Sequence, residues 1–167
     1  NVIADSAVSG NSDAGEREVF FREDWRETPA ETPVTQDHVA NRELILTRHG
    51  PARDLIKKSH HDNVPNDPWY VWSGLCKEGR WAVSLRRKKT LVDLSENGRI
   101  CWRTRQSGPH VLKVILELAD GNWLVSDKGF GETPDWHKFC LDLRLLKWYQ
   151  LDIRTIEPGK PATKPIL

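Results

Sequence analysis

Methionine is absent from the 167 residues, and the chain begins at Asn1. Such a start is that of a processed mature protein or of a piece cut from a longer chain, and removal of a signal peptide is one explanation. An excess of one charge is also missing. Lys+Arg number 25 against 24 Asp+Glu, a formal net charge of +1. That balance provides no global field to draw in nucleic acid or a membrane surface. No stretch approaches 18 consecutive apolar residues, so no transmembrane helix and no membrane insertion is expected. Cysteine is scarce. Cys76, Cys101 and Cys140 form no CxxC pair and no zinc spacing, so no metal site is expected. No P-loop, Rossmann or GxSxG fingerprint occurs, and no cofactor is expected. Tyrosine is down to two and phenylalanine to four, against eight tryptophans.

What is present is period two. Leu44 and Leu46 alternate with Ile45. Trp81, Val83 and Leu85 alternate with Ala82, Ser84 and Arg86. Ile100, Trp102 and Thr104 alternate with Cys101, Arg103 and Arg105. The same rhythm runs through Leu112–Leu118 and Phe139–Leu145. One apolar and one polar side per segment marks half-buried antiparallel strands. Turn signals separate them, the strongest being Asn97-Gly98 and Asp120-Gly121, which suit the φ > 0 positions of tight hairpins. Residues 135–146 alternate better than they follow a helical period and are read as strand. Seven to nine strands at this spacing predict an all-β sandwich or barrel. Residues 1–18 carry four carboxylates and one Arg and are read as a flexible acidic leader. The sandwich domain then covers 19–157, and 158–167 is a Pro-rich tail or linker.

The aromatics lead the search for chemistry. Trp69, Tyr70 and Trp72 fall in NDPWYVWSG. On a strand Tyr70 and Trp72 share one face and Trp69 takes the other. One face is core, and the other offers an indole on which the C–H face of a sugar can stack. Residues 77–105 carry nine Lys/Arg and three acids, a local +6. Arg103 and Arg105 point outward there, as planar donors for carboxylates, sulfates or sugar hydroxyls. They would serve phosphates too, but the acidic leader disfavours nucleic acid. His60 and His61 are adjacent and face opposite sides, so one of them enters a given site. Beside Asp62 or Asp67 they supply an acid–base pair. Glycoside hydrolysis needs two carboxylates across a cleft, and Glu117 and Asp120 are candidates, as are Asp62 and Asp67. The expected catalytic set is therefore His61, Asp62 and Glu117. The ligand-binding set is Trp69, Trp72, Arg103, Arg105 and His60. An odd cysteine count allows one disulfide plus a free thiol, or three thiols. A Cys76–Cys101 bridge forms if their strands are neighbours, leaving Cys140 unpaired.

Phe20-Phe21-Arg22-Glu23-Asp24-Trp25 resembles the F-x-x-D-W/F opening strand of concanavalin A-like jelly-roll domains. Leu44-Ile45-Leu46 resembles their second strand. The series of amphipathic strands that follows is similar to that of bacterial secreted domains of the 3-keto-disaccharide hydrolase type. Those domains close with an apolar I-x-V/I strand, where this chain runs into KPATKPIL. No catalytic motif of the group is present, so no catalytic residue is carried over. The resemblance implies a sandwich of jelly-roll type, secreted or periplasmic, with an oligo- or polysaccharide partner. The leading expectation is a carbohydrate-binding β-sandwich using Trp stacking and Arg/His contacts. The alternatives are a glycoside hydrolase or lyase with a carboxylate/His site, and a structural or adhesion domain of a larger assembly. The sequence sets no oligomeric state.

Overall fold

The computed structural model describes residues 2–6, 18–94 and 98–163. Among them the fold is all-β, with twelve strands in antiparallel sheets and three 3-10 turns as its only helical elements. The strands are β1 (Val2–Ser6), β2 (Glu18–Glu23), β3 (Leu44–His49), β4 (Lys57–Ser59), β5 (Tyr70–Trp72), β6 (Ala82–Arg87), β7 (Arg99–Gln106), β8 (Leu112–Glu117), β9 (Trp123–Phe130), β10 (Thr133–Asp142), β11 (Trp148–Asp152) and β12 (Glu157–Pro161). Seven to nine were expected. The extra strands are of two kinds. β4 and β5 are too short to show a period, and β1 and β12 lie in stretches whose composition is that of a leader and a tail. Asn97 lies outside the described residues, so the Asn97-Gly98 turn is not described. The chain divides into two compact units.

One unit comprises Val2–Arg22, Leu91–Leu151 and Pro158–Leu167. It holds two four-stranded sheets, ordered β10-β7-β1-β2 and β12-β11-β9-β8. Both contribute to one core. Val114, Leu124, Leu143, Leu146 and Trp148 are buried, and Ile100 and Trp102 of β7 and Leu141 of β10 pack against them. Each such side chain is worth roughly 1.5–3 kcal/mol on leaving water. The period-two reading of β7 holds in detail. Ile100, Trp102 and Thr104 lie on the side opposite the exposed Arg103 and Arg105. Phe139 pairs with Trp102 and Leu141 with Ile100 in the β7–β10 register. Phe130 meets Trp102 edge-on at 5.1 Å and stacks on Phe139 at 4.1 Å. The Pro-rich end becomes β12 because it occupies a sheet edge, where a missing N–H faces no partner strand.

The same β7–β10 register sets Cys101 directly opposite Cys140, and these two form the disulfide. The expected Cys76–Cys101 bridge is thereby corrected. A cross-strand partner 39 residues away takes Cys101, and Cys76, in the other unit, keeps its thiol. Between β8 and β9 the register slips around Val114. There the Val114 N–H donates to Ser126 Oγ at 3.1 Å, and the Ser126 hydroxyl donates to the Lys128 carbonyl at 2.6 Å. The buried serine thus satisfies a backbone group that the ladder leaves unpaired. The β8–β9 turn is the predicted Asp120-Gly121 pair. Gly121 sits at φ +83, and the Asp120 carboxylate accepts the Asn122 N–H at 2.9 Å.

The other unit comprises Glu23–Thr90 and Asp152–Glu157. It carries the β3–β6 and β4–β5 ribbons and the 3-10 turns Gln36–His38 and Arg53–Leu55. Its buried apolar side chains include Trp25, Val34, Val39, Leu44, Ala52 and Ile56. A fully buried carboxylate lies among them. Glu23 Oε1 accepts the N–H of Trp25 (2.8 Å) and of Ala40 (2.7 Å), and Oε2 accepts that of Asn41 (2.9 Å). Three donors offset the loss of water around this charge. They also fix Trp25 in a left-handed backbone conformation at φ 60. After β3, Gly50 turns at φ +87, and a Cβ there would stand 2.5 Å from the Arg80 carbonyl oxygen.

Candidate functional site

β4 and β5 pair antiparallel, with Lys57 opposite Trp72, Lys58 opposite Val71 and Ser59 opposite Tyr70. Side chains alternate across a strand, so this register sorts the ribbon into two faces. Lys57, Ser59, Tyr70 and Trp72 share one, and Lys58 and Val71 take the other. The sequence places Tyr70 with Trp72 and sets Trp69 apart, and the contacts agree.

On the inward side Lys58 is completely buried. Its ammonium donates to the Thr28 carbonyl and stands 3.5 Å from the centroid of the Trp69 ring. Burial pushes the Lys58 pKa down to about 8. The carbonyl and the π face compensate part of the lost hydration. His60 stacks on the same indole, 4.1 Å between centroids. Trp69 is therefore occupied by protein groups and braces the ribbon from behind.

On the outward side the Trp72 indole is 41% exposed, the most accessible large aromatic surface among the described residues. It is also held in place. Its Nε1–H donates to Ser59 Oγ at 2.7 Å, and the Lys57 ammonium stands 5.2 Å from its ring centroid. The loop from β4 to β5 brings His61 to this side, stacked on Tyr70 at 5.7 Å. Asp67 pins that loop. Its carboxylate, 2% exposed, accepts the His61 N–H at 2.9 Å and lies 3.0 Å from His61 Nδ1. Nδ1 facing a carboxylate carries the ring proton, which leaves Nε2 as an acceptor. The Tyr70 hydroxyl stands beside the ring, 3.2 Å from Nδ1 and 3.3 Å from Nε2. Asp67, His61 and Tyr70 form a cluster of proton-carrying groups beside the exposed indole.

The expected site residues are distributed as follows. His60, His61, Asp62, Trp69 and Trp72 all fall on or beside this ribbon. Asp62 is 92% exposed, and its carboxylate lies 3.8 Å from His60 Nε2. The carboxylate that orients His61 is Asp67. Glu117, Arg103 and Arg105 belong to the other unit. Glu117 is exposed at the end of β8, opposite Trp123. Arg103 lies 5.7 Å from the centroid of the Trp136 ring, and Arg105 is exposed on the same side of β7. The basic stretch 77–105 is shared between the two units. Sequence reasoning missed Tyr70, Lys57 and Ser59 as site groups. The alternation of Lys57, Ser59 and His61 was the available signal, but a three-residue strand is too short to announce itself.

Among the described residues no cluster of three or more His, Cys, Asp or Glu side chains is arranged to hold a metal ion. No helix among them is long and apolar enough to cross a membrane. Compared with protein-family models, curated proteins and solved structures, the chain matches none.

Proposed function

We propose that this protein binds oligo- or polysaccharide through the outward face of the β4–β5 ribbon. The observation that carries the reading is the Trp72 indole, open to solvent and locked by Ser59, with Lys57, Tyr70 and His61 around it. A flat, pre-oriented apolar ring ringed by hydrogen-bonding groups matches the alternating C–H and O–H faces of a pyranose. The Cys101–Cys140 disulfide supports an oxidising location, and so a secreted or periplasmic protein. The resemblance to concanavalin A-like domains supports a jelly-roll arrangement and the same ligand class.

The test is a panel of immobilised neutral and acidic glycans probed with the wild type and with Trp72→Ala. Retention on at least one glycan, weakened about tenfold or more in the variant, is expected from the loss of one ordered aromatic contact. Absence of retention on every glycan overturns the reading.

The Asp67–His61–Tyr70 cluster favours a second reading, a carbohydrate-active hydrolase or lyase using His61 in proton transfer. A carboxylate against Nδ1, with a phenol hydroxyl beside the ring, brings together groups that general acid–base work uses. Product analysis of the retained glycans separates the two. Intact sugar supports binding alone, and new reducing or unsaturated ends support turnover.

A further inference from the structure

A second chemical constellation stands on the β3–β6 ribbon and takes no part in the saccharide reading. The register pairs Thr47 with Ser84 and His49 with Ala82. Ile45, Thr47 and His49 of β3 therefore share a face with Ala82, Ser84 and Arg86 of β6. Across the diagonal of that face, His49 Nε2 lies 2.8 Å from Ser84 Oγ. Both side chains are half-buried, while Thr47 and Arg86 beside them are exposed. The residue opposite His49 across the ladder is Ala82.

We propose that Ser84 and His49 are a nucleophile–base dyad that takes carboxylic esters, with Arg86 two positions along β6 favouring an acyl group that bears a negative charge. A serine hydroxyl is a poor nucleophile by itself and gains reactivity when a neutral imidazole receives its proton. Burial holds the His49 pKa below the ordinary histidine value, so the ring is neutral and ready to accept at neutral pH. The step balances without a further reactant. Ser84 Oγ bonds to the ester carbonyl carbon as its proton passes to His49 Nε2. The acyl–oxygen bond then breaks, and the leaving alkoxide takes that proton from the imidazolium. Water, deprotonated by His49, releases the acyl group and restores the serine. Lys88, exposed two positions beyond Arg86, adds positive charge toward the same side, which suits an anionic substrate.

The test is covalent labelling of the full chain with a fluorophosphonate probe, read by intact mass and peptide mapping. In the expected result one adduct forms on Ser84, with Oγ–phosphorus bond formation expelling fluoride. It is absent in Ser84→Ala and forms at least about 100-fold more slowly in His49→Gln, the usual contribution of a general base. The wild type alone supplies a control that survives misfolding of either variant. Its labelling rate should fall on acidification with a midpoint below that of an unperturbed histidine, as protonated His49 cannot accept. p-Nitrophenyl succinate should acylate the same residue faster than p-nitrophenyl acetate. No adduct on Ser84, or a rate independent of both His49 and pH, overturns the dyad. Equal rates with the two esters overturn the role of Arg86.

Discussion

Replacing Glu23 tests the most concentrated interaction in the unit that carries the β3–β6 and β4–β5 ribbons. Its carboxylate receives three backbone N–H groups from two separate turns, at 2.7–2.9 Å, with no exposure to solvent. Glu23→Ala removes all three acceptors. The Ala40 residue is exposed, so its N–H can turn to water, but Trp25 is buried and Asn41 half-buried. Two unsatisfied donors at about 1–3 kcal/mol each, plus the cavity, put the loss near 3–5 kcal/mol. Glu23→Gln keeps the shape. Its amide oxygen can hold the Trp25 and Ala40 donors, while its NH2 then faces the Asn41 N–H. One lost bond and one donor–donor contact cost about 1–3 kcal/mol. Urea unfolding followed by tryptophan fluorescence reads both values, since Trp25 itself reports the loss of this structure. A loss below about 1 kcal/mol for Glu23→Ala, or a Gln variant no better than the Ala variant, would refute the reasoning.

Three further outcomes follow from the same physical account. The Lys58 pKa is lower folded than unfolded, about 8 against 10.5, so between these values the unfolded chain binds a proton that the folded chain lacks. Stability should therefore rise with pH across that window, by at most about 3 kcal/mol, and Lys58→Met should remove the rise. Urea midpoints at the two ends of the window check it, and a wild type whose curve matches that of the variant would contradict it. Reduction of Cys101–Cys140 releases a loop spanning 39 residues, worth about 4 kcal/mol by chain entropy. Thermal unfolding with and without reductant reads that loss, and the Cys76→Ser variant should show the same difference as the wild type. Ser126→Ala strands the Val114 N–H and should cost about 1–3 kcal/mol, where Ser126→Thr, which keeps the hydroxyl, should cost less. Equal losses in the two variants would show that the hydroxyl does not bridge the register slip.

The alternation in β7 and in the end of β10 from Phe139 was legible in the sequence because each has one face on the sandwich core. A period of two over eight residues admits no helix. Asp120-Gly121 was legible for a different reason, as a tight turn there needs a positive φ. β1 was not, since Val2–Ser6 pairs through backbone groups with β7, and backbone pairing carries no side-chain signature. The disulfide was hidden because it depends on strand order. Cys76 and Cys101 are closer in sequence, yet β10 lies beside β7 and brings up Cys140. At the candidate site the aromatic and histidine types were readable, and so was the opposition of Trp69 to Trp72. The choice of Asp67 over Asp62 as the partner of His61 was not. Both are acidic residues of one loop, and the turn through Asn66, at φ 60, precedes the inward placement of Asp67. His49 and Ser84 are 35 residues apart, and only the β3–β6 register makes them neighbours.

Calorimetric titration of the wild type and of Trp72→Ala, with the tightest-retained glycan, tests the central claim most directly. Saturable heat in the wild type, with affinity reduced about tenfold or more in a variant of unchanged stability, is the predicted result. Equal affinity in the two proteins would contradict the assignment of the β4–β5 face as the saccharide platform.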